Sequence, residues 1–172
     1  MPESSRGLEF DRALRYWQCN PSALSHEGLA EAAETGDVLR DRIAALSSEP
    51  VREDILIVAH GPEDDAENAR WLAWMETHVR PLRERNSYHA IRVATLREDW
   101  PDKRQAAEDE IRAFVQAANN AGRRAIVIPF RVFGFGPYGE LLEGLDYVTD
   151  EQGLIPHPAI GHWIQRQAEA LR

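Results

Sequence analysis

A histidine stands where a buried strand should end. The run Asp54-Ile-Leu-Ile-Val-Ala-His60 is apolar and largely β-branched up to the imidazole, and Gly61-Pro62 follows it. In that place the ring is expected at the mouth of a sheet, able to bind a metal or accept a proton near neutral pH. The competing reading is a ring hydrogen-bonded to its own turn. A second concentration of functional groups runs from Phe130 to Glu140: Phe-Arg-Val-Phe-Gly-Phe-Gly-Pro-Tyr-Gly-Glu. If the preceding strand extends that far, alternation puts Arg131, Phe133 and Phe135 on one face. Aromatic platforms beside an arginine suit a flat, carboxylate-bearing ligand, whereas core packing with a snorkelling arginine is the structural alternative. Glu140 and Glu143 share a helical face and can shuttle protons, collect a cation or simply be solvated. His157, between Pro156 and Pro158, can face the same cleft, but its spacing to His162 does not make an i, i+4 metal pair.

The glycines Gly134, Gly136 and Gly139 formally match the dinucleotide fingerprint after a strand. Pro137 removes an amide that a pyrophosphate would use, Gly144 interrupts the following helix, and the loop is not at the first strand-to-helix turn. These features argue against a nucleotide-binding oxidoreductase. Trp71, Trp74 and His78 form a helical stripe that reads as core or dimer contact.

The elements that must carry these groups divide near Pro50. Before it, helical patterns cover Leu8–Gln18 and roughly Ser25–Leu46, with Gly36 expected to break or kink the second. After it, strands are expected at Asp54–His60, His89–Leu96, Ala125–Phe133 and, briefly, Asp146–Thr149. Helices are expected from the Glu63-Asp64-Asp65 acidic turn to Arg80, from an Asp102 cap to Asn120, around Glu140–Leu145, and over Pro158–Leu171. Such alternation predicts an α/β fold, a parallel sheet of about four strands with helices on both faces. The organisation is an N-terminal helical arm, 1–50, and an α/β domain, 51–172. Ligands in such sheets bind beyond the carboxyl ends of the strands, which favours His60, the Arg97–Asp99 segment, the glycine loop and His157.

Composition narrows the partners. The chain has 172 residues and a net charge of −9, the wrong sign for a nucleic-acid binder. One cysteine, Cys19, excludes an internal disulfide framework and a cysteine-based zinc cage. No apolar run approaches the about 20 residues needed to cross a bilayer. The first ten residues carry Glu3, Arg6 and Glu9 and no apolar core of a signal peptide, so a cytoplasmic protein with no membrane partner is expected.

Taken in order, Ile55-Leu-Ile-Val-Ala-His60-Gly61, the strand Ile126-Val-Ile-Pro129-Phe130 with its glycine-rich exit, and Gly153-Leu-Ile-Pro-His157-Pro158 before a final helix resemble the class II chelatases, the sirohydrochlorin cobalt- and ferrochelatases of the CbiX kind. The likeness spans about residues 51–172, one module. It implies a flavodoxin-like (chelatase-like) fold and insertion of a divalent metal, cobalt or iron, into a tetrapyrrole. The metal would be a substrate, and no organic cofactor is implied. Short members pair as homodimers, so a homodimer is implied here; alternatively, residues 1–50 are a vestige of a tandem arrangement.

By the same resemblance His60 matches the first metal-binding, proton-accepting histidine. The second falls on Pro137 or Tyr138, where this chain has no histidine. An acidic residue ending the second strand falls on Arg97 or Glu98. The implied set is therefore His60 with Glu98 at the metal, Tyr138 and Glu140 assisting proton transfer, and Arg131, Phe133, Gly134, Gly136 and His157 toward the macrocycle, with Arg97 a further carboxylate contact. So altered a set equally fits a catalytically changed metal- or tetrapyrrole-binding protein of the same fold.

Overall fold

A computed structural model describes residues 28–170; the expected helix at Leu8–Gln18 lies outside them. The elements are α1 (Ala33–Leu46), a 3-10 turn (Pro50–Arg52), β1 (Glu53–Ala59), α2 (Asp65–Arg85), β2 (Ala90–Thr95), α3 (Pro101–Asn120), β3 (Arg124–Phe130), α4 (Tyr138–Leu141) and α5 (Pro158–Glu169). The three strands form a parallel sheet in the order β2-β1-β3. The expected fourth strand contributes one parallel bridge, Val148 to Ile126.

All seven residues of β1 are buried, because the central strand is covered on both faces. Ile55, Ile57 and Ala59 join Met75, Val79 and Leu82 of α2, Leu39 and Ile43 of α1, and Ile126, Ile128 and Phe130 of β3. Leu56 and Val58 point the other way, into a second core with Ile111, Val115 and Ala118 of α3 and Tyr138, Leu141 and Leu142. Strand alternation thus sorts one apolar run into two cores.

Several expected boundaries shift for identifiable reasons. Helix α1 begins at Ala33 and passes through Gly36 unbroken. There the missing side chain lets α2 approach, since a Cβ would stand 3.3 Å from His78 Nδ1. Helix α2 runs past Pro81 to Arg85; Pro81 is exposed, where solvent is available to the carbonyl it leaves unbonded. The inner face of α2 is Met75, His78, Val79 and Leu82, whereas Ala69 is exposed. Trp100, not Asp102, occupies the N-cap position of α3, its side chain making no capping bond, with Pro101 in the first turn. Helix α3 ends in a Schellman motif: Arg123 N donates to Ala118 O and Gly122 N to Asn119 O. Strand β3 stops at Phe130, so Arg131, Phe133 and Phe135 lie beyond the strand, and alternation does not place them. Helix α4 is a single turn starting at Tyr138.

At the opposite end of the sheet from His60, Glu53 is buried yet fully satisfied. Its carboxylate accepts from the Ser48 and Glu49 amides at 2.8 and 3.0 Å, from the Ser47 hydroxyl and from Arg124 at 3.3 Å. Burial alone would raise its pKa, but these donors outweigh burial and hold it below the usual carboxylate value. A depressed folded-state pKa stabilises above the unfolded value and is lost as pH falls through the folded one. Glu53→Gln should therefore cost about 1–3 kcal/mol at pH 7. In denaturant titrations the gap between variant and parent should narrow on acidification below the carboxylate range.

Candidate functional site

The carboxyl ends of β1 and β2 are stitched together just past the ladder. Leu96 N donates to Ala59 O at 2.9 Å and Arg97 N to His60 O at 2.7 Å. Arg97 then turns the chain at a positive φ of 59°, which brings Glu98 and Asp99 beside the His60 ring. Gly61, φ 81°, is needed opposite: a Cβ there would fall 2.6 Å from Thr95 Cβ.

His60 is half-open, its side chain 36% exposed. Its Nδ1 lies 2.8 Å from Gly61 O and its Nε2 3.0 Å from Asp99 Oδ2, with Glu98 Oε2 at 3.9 Å. Both ring nitrogens face oxygen atoms, and a cation can take the place of a proton on Nε2. The edge of the ring meets Trp100 at 5.7 Å. Beyond Trp100 a depression of about 620 Å³ is lined by Pro62, Glu63, Asp65, Glu67 and Lys103.

Glu98 is mostly buried and binds Arg131 Nη1 through Oε1 at 2.7 Å. The Arg131 guanidinium lies 5.6 Å from the Tyr138 ring centre and against Gly136, φ 63°, where a Cβ would overlap Nη1 and Cζ. Tyr138 is fully buried. Desolvation first, and the Glu98 charge second, push its hydroxyl well above the ordinary phenol value. It keeps its proton, so the structure gives it a packing role at the site rather than that of a base.

The structure therefore brings together His60, Glu98, Arg131, Gly136 and Tyr138. Glu140 is exposed on α4, with its charge felt at Arg104, which itself holds Glu98 O at 3.2 Å. Phe133 is 71% exposed, and Gly134, φ 71°, opens to space. His157 is elsewhere: it caps α5 by accepting from Ala159 N at 3.2 Å, and its Nε2 lies 3.5 Å from Asp41 of α1. Arg97, considered as a carboxylate contact, is buried and committed to Glu63 O and to Asp65 Oδ1 at 2.9 Å. Lys103 shares those acceptors at 2.8 and 2.6 Å. Lys103 and then Arg97 hold the Asp65 carboxyl below its ordinary value. The sequence points to the Arg97–Asp99 segment without giving Asp99 a role of its own, and it does not point to Trp100; what brings Asp99 to the ring is the left-handed turn at Arg97, which no motif signals.

Among the described residues no group of three or more His, Cys, Asp or Glu side chains is arranged to hold a metal ion. None of the described helices is long and apolar enough to cross a membrane.

The fold is chelatase-like. A multi-domain protein of Deinococcus radiodurans, DR2241, described as structurally similar to chelatases with two additional novel domains, superposes with a TM-score of 0.54 and 19% identity. The match covers 83% of this chain and 30% of that one, so this chain spans under a third of that protein. No family model matches the sequence. No curated protein matches it either.

Gly136→Ala should both strain a left-handed residue and displace the Arg131 guanidinium, at a cost of about 1–3 kcal/mol. A lowered Tm together with a loosened Arg131–Glu98 pair, read as increased reactivity of Arg131 toward a guanidine reagent, would register the two effects.

Proposed function

We propose that this chain inserts a divalent metal, cobalt or iron, into a tetrapyrrole of the sirohydrochlorin type. The observation that carries the reading is the His60 imidazole, half-open at the carboxyl end of β1, with Asp99 at 3.0 Å and Glu98 at 3.9 Å on its Nε2 side. Histidine and carboxylate are reasonable ligands for Co²⁺ or Fe²⁺. An ion held by His60 and Asp99 keeps most of its positions for water and for incoming pyrrole nitrogens, as a metal in transit requires. The ion enters as M²⁺ and the two inner N–H protons of the ring leave. With Tyr138 kept neutral by burial and His60 Nε2 on the ion, the carboxylates of Asp99 and Glu98 would take the two protons. Arg131 would meet a peripheral carboxylate of the ring, and Phe133, which is exposed, would offer it an aromatic face. A second copy, facing the first across the ring, would close the cleft.

A second reading, a metal- or tetrapyrrole-binding protein without catalysis, has its own support. No histidine occurs between His89 and His157, and the place of a second one is taken by Pro137 or by a buried tyrosine.

Sirohydrochlorin mixed with Co²⁺ separates the two. For a chelatase, the protein should accelerate the change in absorption spectrum over the uncatalysed reaction, and His60→Ala should slow it by about 10²-fold or more. A tightly bound ring with no acceleration establishes the second reading instead. An H60A variant as fast as the parent overturns the role assigned to His60.

A further inference from the structure

The Glu98 carboxylate faces two ways. Oε1 is bound by Arg131 at 2.7 Å, and Oε2 lies 3.9 Å from His60 Nε2. A carboxylate held by a guanidinium is a poor metal ligand, because the cation draws off the charge an incoming ion would need. The Arg131 side chain is itself fixed: it lies over the Tyr138 ring and against Gly136. Its backbone is pinned as well, its carbonyl accepting from Leu154 N at 2.7 Å. Yet the side chain is 28% exposed against 12% for Glu98, so an anion from solvent reaches the arginine more readily than it reaches the glutamate. The mouth thus holds two ligands for an ion, His60 and Asp99, with a third withheld beside them.

We infer that Arg131 is a carboxylate-exchange latch: an incoming macrocycle's carboxylate takes Glu98's place on the guanidinium, and the freed Glu98 joins His60 and Asp99 on the metal. This rests on reading the His60 mouth as the metal-insertion site. Replacing one carboxylate by another on Arg131 leaves the number of charge-assisted hydrogen bonds unchanged, so the exchange itself is nearly balanced. The gain is a third, anionic ligand for the ion. Metal and macrocycle then bind with positive cooperativity, and by linkage each tightens the other by the same factor. The device keeps the ion loosely held until a ring is present to receive it. Arg131 acts here as a positioning residue, through Glu98.

Co²⁺ titration of the full chain, followed by its visible absorption and by calorimetry, tests this without any turnover. The ring probe is copper uroporphyrin, an octacarboxylate macrocycle whose nitrogens are already occupied. In the parent protein it should tighten Co²⁺ binding by about five-fold or more, and in Glu98→Gln it should not. Arg131→Met should bind Co²⁺ tighter by a similar factor with no ring present, and the double variant R131M/E98Q should lose that gain. Unchanged Co²⁺ affinity in the parent on adding the ring overturns the latch, whether or not R131M folds. His60→Ala distinguishes the two failures: if it loses Co²⁺ binding while the ring has no effect on the parent, the metal site stands and the latch falls. If it binds Co²⁺ as the parent does, the reading of the mouth falls and the latch with it.

Discussion

Everything at the candidate site depends on one strand being dry along its whole length. Between Asp54 and His60 no side chain of β1 can be polar, because each is pressed into one core or the other, with Ile55 through Ala59 having no exposed surface. Fully burying one such aliphatic side chain is worth about 1.5–3 kcal/mol, so a slip of the strand by one residue would carry an imidazole into that space and expel an isoleucine. The strand's register therefore fixes where the first polar group after Asp54 emerges, and that group is His60. The neighbouring strand ends in step with it, and the link from His60 O to Arg97 N carries the next two acidic residues to the same spot.

Much of this was legible in the sequence, and the reasons are local. A continuous β-branched run ended by His-Gly-Pro specifies a buried parallel strand and its exit, and the alternation of such runs with helical spacing specifies the layered α/β fold. Gly122, in its place just past α3, is another local signal that matches the observed ending. What the sequence did not disclose is tertiary in origin. Gly36 looks like a helix breaker until His78 of α2 is seen to need the room, and Pro81 looks like a terminus until its exposed position is known. Strand β3 ends three residues short of the expected Phe133, an expectation that arises because Phe-Arg-Val-Phe has strand propensity whether or not a neighbour pairs with it. For the residues at the mouth, type and order suggested His60, Glu98 and Arg131 separately. That a single carboxylate bridges the other two follows from a left-handed turn at Arg97 and a bare glycine at position 136.

The likeness to a chelatase-like protein at 19% identity concerns the path of the backbone, and the same sheet can host quite different side chains at its mouth. The local chemistry is accordingly this chain's own. Tyr138 is buried, Glu98 is paired with Arg131, and Asp99 stands on the imidazole's open side. The result is an electrostatically mixed rim: acidic toward the Glu63–Glu67 turn and basic at Arg131. Within a chain of net charge −9, Arg131 runs locally against the protein's overall field.

Lys103, which braces the Glu63 carbonyl and Asp65, is the only lysine in the sequence. Its ε-ammonium is thus the one side-chain amine in the chain, and it stands on the wall of the depression beside Trp100. An amine-directed dye or acyl group would be placed at that rim with no engineering of the sequence. Because acylation leaves Nζ neutral with a single N–H, such a label would replace the ammonium's grip on Glu63 O and Asp65, and its emission would report on the posture of the β1–α2 turn once that brace is loosened.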